Sequence, residues 1–354
     1  MRSGFFLINA HAFFINEPLF KYLRTFNLLF WFFSIITTYS MCYKLKYILP
    51  SLLVLLVLCS CTNKKELHPE HQLHLGVMSS MDYLPLAVAQ ENGFFEKEGV
   101  NITIHKFYSA NERDAAFQSG NLDGTILDYT GAAIQRSGGV NLKLTSQCDG
   151  TFVLVAGKNS GVNSVSDLEG KSLAVSRNTV IDFCTDMVLE NAGISLENIS
   201  KVEINKIPLR LEMLRNGKID ATMLPDPFAT LALQDGNQSL IDIQELDLRV
   251  TGIAFHQKVT EEKAEAIKSF YHAYNHAVAL LTSQPASVFY PILTSEIGVP
   301  ADLVSRIKLP DYSMAQLPQE KDLQKVDQWL KAKDLVSSDF EIATLISSDL
   351  IPSN

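Results

Sequence analysis

Four carboxylates stand at or just beyond the ends of short apolar runs: Asp82, Asp128, Asp149 and Asp226. Around them lie Ser80, Tyr83, Tyr129, Thr130, Asn178, Thr179 and Phe228, with one cation, Arg177. Carboxylates accept hydrogen bonds from amines, and aromatic rings stack on flat groups. Such a set suits a neutral or cationic heteroaromatic ring that carries amine donors. An oxyanion would call instead for arginine, lysine or several N–H donors free of neighbouring carboxylates. These twelve residues are the expected ligand contacts. Each also has an architectural role open to it, Asp128 and Asn178 as helix caps and the aromatics as packing.

Covalent chemistry finds no comparable set. The run "EGKS" at 169–172 resembles the end of a phosphate-binding loop, but that loop needs glycine at position 165, which is Val165. There is no G-x-S-x-G elbow. His272 and His276 have metal spacing on a helix without an H-E-x-x-H motif, and read as surface or core histidines. His68, His71 and His74 fall in or beside a polar stretch and read as solvated. No catalytic group, metal or cofactor is expected.

The elements that would position these residues alternate along the chain. "LHLGV", "NITIHKF", "LDGTIL" and "NLKLTSQ" read as strands, separated by helical stretches that stop at Gly93, Gly120 and Gly138. After "TFVLVAGKNSG" the rhythm restarts with "SLAVS", a helix over 180–192, "ISKVEI", a helix in "LRLEMLRNGK", "IDATML" and a helix in "DPFATLALQDG". "QSLIDI" and "LRVTGIAFHQ" follow as strands. Strands separated by helices predict an α/β chain on mostly parallel sheets. From Thr260, read as an N-cap, the pattern turns helical, ending in "EKDLQKVDQWLKAK" and "SDFEIATLISSDLI". About 280 residues follow Leu73, more than one core usually spans, so two lobes are expected. The candidate residues fall in loops after strands, where open α/β sheets hold ligands.

The N-terminal part has a different composition. Lys44 and Lys46 precede an apolar block over 47–58, too short for the roughly 20 residues of a membrane span. Basic residues, a short apolar run and small residues make an export signal. In Leu58-Cys59-Ser60-Cys61 the small Ser60 favours Cys61 over Cys59 as an acylated cysteine of lipoprotein type. Met41 opens this signal, so residues 1–40 are expected to be a spurious upstream extension; a real membrane helix over 26–38 is the alternative. Residues 41–60 are then the signal and 61–72 a tether. The first sixty residues hold five of the 30 basic side chains and one of the 39 acidic ones, leaving 25 against 38 and a net charge of −13. That acidic body is unsuited to nucleic acid. Cys148 and Cys184 remain in it, too few for a disulfide framework and expected as free thiols.

Three segments carry a family resemblance. "YLPLAVAQENGFFEKEGVNITI" resembles the opening of solute-binding proteins of nitrate, sulfonate, taurine and thiamine-precursor ABC importers, a group that includes the yeast-type pyrimidine-synthesis proteins. "SVSDLEGKSLAVS" is similar to the second-lobe opening of that family, and "LRNGKIDATMLPDPFA" to its G-x-I-D-A strand with a Pro-flanked acid. The cysteine-rich motif of the synthesis proteins is absent from this sequence. The resemblance implies a type II periplasmic-binding-protein-like fold with a hinge, lobe 1 over 73–156, lobe 2 over 157–252, and a helical C-terminus over 253–354 rejoining lobe 1. It implies a non-enzymatic, lipid-anchored monomer of the cell envelope that delivers a small-molecule ligand to a permease and its ATPase. The loop chemistry points to a thiamine-precursor pyrimidine or similar ring. A sulfonate, nitrate or taurine binder, a same-fold enzyme of pyrimidine or menaquinone precursor synthesis, and a sensor ectodomain are the alternatives.

Overall fold

The computed structural model describes residues 71–352. The signal, Cys61 and most of the tether lie outside the described residues. Ten strands form two five-stranded sheets. The first sheet holds β1 (Gln72–Met78), β2 (Asn101–Phe107), β3 (Gly124–Asp128), β4 (Leu142–Gln147) and β10 (Thr251–His256), in the order β2-β1-β3-β10-β4. The second holds β5 (Phe152–Ala156), β6 (Ser172–Val175), β7 (Ser200–Glu203), β8 (Ala221–Pro225) and β9 (Gln238–Asp242), in the order β7-β6-β8-β5-β9. β1 is parallel to β2 and β3, and β6 to β7 and β8. β10 and β5, the strands that enter after a crossing, run antiparallel to their neighbours. Every residue of β3, β5 and β8 is buried, as strands covered by helices on both faces must be.

The helices are α1 (Leu84–Glu91), α2 (Phe94–Lys97), α3 (Ala110–Gln118), α4 (Tyr129–Ser137), α5 (Val180–Asn191), α6 (Ile207–Arg215), α7 (Phe228–Gln234), α8 (Gln257–Glu262), α9 (Ala264–Ser283) and α10 (Glu320–Ala332). α9 buries Ile267, Phe270, Tyr271, Tyr274 and Val278 along one stripe, and Phe270 stacks on Phe95 at 5.9 Å. It covers the first lobe. α10 buries Leu323, Val326, Trp329 and Leu330 in a cluster shared with Leu127, Tyr129 and Leu144 of the first lobe and Val175 and Phe183 of the second.

Three expectations change. The first crossing occurs at 148–151, not near Gly157, because Phe152–Ala156 pairs with β8 and β9. The return runs over 243–250 into β10. Thr260 is not an N-cap: it lies inside α8, and its hydroxyl donates to the Gln257 carbonyl at 2.6 Å. The break falls at Lys263, whose ammonium is held at 2.8 Å by both the Gln72 carbonyl and Asp123. Finally, "SDFEIATLISSDLI" is not a helix beyond a short turn over Ile342–Leu345. Ile346 instead bridges Leu144, and the Ser347 amide donates to the Leu144 carbonyl at 3.0 Å, so this stretch lies along β4.

Candidate ligand-binding site

The C-terminal ends of β1, β3 and β8 and the residue after β6 meet around one cavity, at Met78, Asp128, Pro225 and Ser176. Asp128 caps α4, accepting from the Gly131 amide at 2.8 Å, and Thr179 caps α5, accepting from the Ile181 amide at 3.3 Å. Between the lobes lies a cavity of about 50 Å³. Met78, Ile126, Phe152 and Pro225 are among its apolar walls, and Ala110, Val180 and Ile207 bring the first turns of α3, α5 and α6 to it. The lobes meet beside it: the Ile207 amide donates to the Tyr108 carbonyl at 3.3 Å, and Lys206 pairs with Glu112 at 3.0 Å.

Two arginines line this cavity. The Arg113 guanidinium is engaged: Nη2 reaches Asp128 Oδ2 at 3.2 Å and Nε reaches Asp114 Oδ1 at 2.8 Å. Arg210 is different. It is completely buried, Nη1 donates to the Ile204 and Asn205 carbonyls at 3.0 and 3.4 Å, and Nε and Nη2 have no partner. Burial lowers its pKa to about 10, so it stays positive at neutral pH. A buried cation with unpartnered donors near helix N-termini has the chemistry an anion requires.

Asp82 also lines the cavity, 6 % exposed, and accepts from the Gly150 amide at 2.6 Å. Burial pushes its carboxyl up to about 6, against the opposing pull of that amide. Gly150 must be glycine, since a Cβ there would stand 2.3 Å from Asp82 Oδ1. The first crossing is thereby bonded to the site itself.

A family model described as NMT1/THI5 like matches residues 80–288. The chain belongs to the NMT1/THI5-like family. This NMT1/THI5-like chain is 24 % identical over 241 residues to a Bacillus subtilis (strain 168) protein named for binding aliphatic sulfonates, covering 65 % of this chain and 72 % of that one. Its fold matches the alkanesulfonate-binding protein of Xanthomonas axonopodis pv. citri bound to MOPS at a TM-score of 0.68, with 18 % identity over 78 % of this chain and 98 % of the other. It matches the periplasmic nitrate-binding protein of Synechocystis PCC 6803 at 0.66, with 12 % identity over 78 % and 84 %. The fold is that of the periplasmic binding proteins.

Of the twelve residues expected at the site, Ser80, Asp82, Asp128 and Thr179 line the cavity of this NMT1/THI5-like chain. Thr130 is buried beside it, donating to Asp128. Tyr83 is core, its hydroxyl donating to Glu296 at 2.9 Å, and Tyr129 is fully buried outside the cavity wall. Asp149 is held by Arg249 Nε at 3.3 Å and the Ser313 amide at 2.7 Å, with its pKa raised by burial. Arg177 pairs with Glu203 at 3.5 Å, and Asn178, at φ 60°, lies in the same exposed turn. Asp226 Oδ1 accepts from the Thr230 amide at 2.9 Å and hydroxyl at 2.8 Å, and Phe228 packs in the second lobe. Sequence reasoning missed Arg113 and Arg210. A signal for Arg210 existed: it lies on the stripe of Ile207, Leu211 and Leu214, all buried. Cys148 and Cys184 are free and buried. Among the described residues no helix is long and apolar enough to cross a membrane, and no cluster of three or more His, Cys, Asp or Glu could hold a metal.

Proposed function

We propose that this protein is the substrate-binding component of an ABC-type importer, exported and lipid-anchored at Cys61, and that it captures a small organic oxyanion between its lobes for delivery to a permease and ATPase. Arg210 carries the ligand class. Its Nε and Nη2 have no hydrogen-bond partner, and the residue lines a largely apolar cavity together with the first turns of three helices. The relatives named for sulfonate and nitrate binding agree, since both ligands are oxyanions. The chain is read as a binder rather than an enzyme on the same ground. Capture proceeds by rotation of the lobes about the crossings at 148–151 and 243–250, a common motion in two-lobed binders.

The amine-bearing heteroaromatic expected from the loops retains one observation, the Asp82 carboxylate on the cavity wall. Its other supports are spent elsewhere: Asp128 on Arg113, Asp149 on Arg249, and the aromatic rings of Tyr83 and Tyr129 in the core. Calorimetric titration with ethanesulfonate, nitrate and an aminopyrimidine decides between them. The oxyanions should bind, and Arg210→Met should weaken them about 30- to 1,000-fold, the usual scale for removing a buried charge partner. Aminopyrimidine binding that survives Arg210→Met, with no response to either oxyanion, would return the ligand to the heteroaromatic class.

A further inference from the structure

The ionisable side chains on the cavity wall are Arg113, Arg210, Asp82 and Asp128. Asp128 is spent on Arg113, which leaves Arg210 and Asp82 for a ligand. Asp82 Oδ1 accepts from the Gly150 amide at 2.6 Å. Oδ2 keeps accessible surface, and among the described residues no group donates to it in hydrogen-bond geometry. The Thr251 hydroxyl, also on the wall, helps to lower the Asp82 pKa from nearby but makes no hydrogen bond. A carboxylate oxygen open to a cavity that takes an anion is tolerable only with a proton between the two oxygens. We infer that the ligand brings this proton: it is an organic phosphonate, captured as the singly charged hydrogen phosphonate, whose hydroxyl donates to Asp82. This rests on the oxyanion reading of the cavity.

Charge is the first argument. The wall carries two arginines against two aspartates, and Asp114 adds a carboxylate on Arg113 at 2.8 Å. Such a wall has no surplus positive charge for a dianion. Proton count is the second. Sulfonate and nitrate ions have no hydrogen to give at neutral pH, so their oxygens would meet the Asp82 oxygen directly. They enter only once Asp82 is protonated, which holds below about pH 6. A phosphonate loses its second hydrogen only near neutral pH, so it can satisfy Arg210 and an ionised Asp82 together. The neighbours do not blur this titration. Asp149 and Arg113 act on Asp82 with opposite signs, and burial raises the pKa values of Cys148, Tyr129, Tyr274 and Tyr312, keeping them neutral. An ammonium fits less well, having three donors where Asp128 is already taken. The volume, about 50 Å³ against roughly 10–15 Å³ for a water, suits one compact headgroup.

The test is calorimetric titration of the wild-type protein with ethylphosphonate, ethanesulfonate and 2-aminoethanesulfonate. At pH 7.5 ethylphosphonate should bind about tenfold tighter than ethanesulfonate, because protonating Asp82 grows tenfold harder per pH unit above its pKa of about 6. At pH 5 the two should agree within about twofold. Asp82→Asn keeps an oxygen for the Gly150 amide and puts an N–H donor in place of Oδ2. It should make ethanesulfonate affinity independent of pH from 5 to 8 and abolish the preference at pH 7.5. Melting curves confirm that the variant folds. Equal affinities in wild-type protein at pH 7.5, or a preference that Asp82→Asn leaves intact, overturns the phosphonate assignment while the Arg210 site stands. Tightest binding of 2-aminoethanesulfonate would put an ammonium at Asp82 and overturn it as well. Failure of all three probes to bind overturns the oxyanion reading, and the assignment with it.

Discussion

The indole Nε1 of Trp329 donates to Asp186 Oδ2 at 2.9 Å, joining the last long helix of the chain to the second lobe. Lys333 reaches the same oxygen at 2.8 Å, and Lys201 takes the other. The residues after that helix lie along β4 of the first lobe, and the Lys143 ammonium donates to the Thr344 carbonyl at 2.7 Å. The C-terminal segment therefore straps both lobes.

Asp186 is completely buried, so its removal leaves the indole N–H without a partner and Lys201 and Lys333 with Asp182 alone. Breaking a buried ion pair costs about 3–5 kcal/mol. Asp186→Ala should lower the melting temperature by about 10 °C, at roughly 2–4 °C per kcal/mol for a domain of this order of size. An unchanged melting curve would show that the strap contributes nothing to stability.

Arg210 opposes stability and binding to each other. A buried guanidinium with two unpartnered nitrogens is costly in the unliganded protein. Arg210→Met should raise the melting temperature by several degrees while losing oxyanion affinity. Such a trade-off marks a group kept for function. A variant that melts lower than wild type would indicate a structural cation instead.

Asp82 gives stability and binding a pH dependence of known sign. Its folded pKa of about 6 lies above its ordinary 3.8, so the folded state holds the proton more tightly. The associated stability is complete below pH 3.8, declines as pH rises, and is lost above about 6. At about 1.4 kcal/mol per unit, the span is about 3 kcal/mol. Asp82→Asn should stabilise the protein at pH 8 and confer little at pH 4. Oxyanion affinity should rise as wild-type protein is brought from pH 8 to pH 5, because neutral Asp82 ceases to repel the ligand. Urea titrations and calorimetry at these pH values check both, and equal stabilisation of the asparagine variant at pH 4 and pH 8 would refute the assignment.

The anchor is tested by acyl labelling of the full chain. Cys61→Ser should abolish label and membrane retention, whereas Cys59→Ser should retain them. Label persisting in the Cys61 variant would move the modification elsewhere.

Much of the fold was legible because the alternation of strand and helix is local. Glycines after helices and apolar runs between them located nine of the ten strands; β5 (Phe152–Ala156) was not read as one. The sheet that "TFVLVAG" would join was not legible, because β5 finds its partners at Thr222 and Ser239, far along the chain. The site divides in the same way. Asp128 could be read because a capping residue after a strand announces itself locally, whereas the cap of the helix over Val180–Asn191 falls on Thr179, one residue beyond the Asn178 expected. Tyr83 could not, since its hydroxyl partner lies 213 residues away at Glu296. Counting carboxylates misjudged the charge of the site because their neutralising partners, Arg113 and Arg249, come from other elements. Arg210 needed the opposite inference, that a cation on an apolar helical stripe is buried for a reason.

The position of β10 sets an order of events. It separates β3 from β4, yet it follows the whole second lobe in sequence. A ribosome that has released residues up to 250 has made every strand of the second sheet and only four of the first, with the strand that joins β3 to β4 missing. The first lobe, which contributes Asp82, Arg113 and Asp128, is thus completed last. Synthesis proceeds at roughly 5–20 residues per second, so its ligand-facing half stays open for several seconds after the other half has all its parts. The export proposed above gains from that delay, because a half-made sheet is easier to keep unfolded than a finished one.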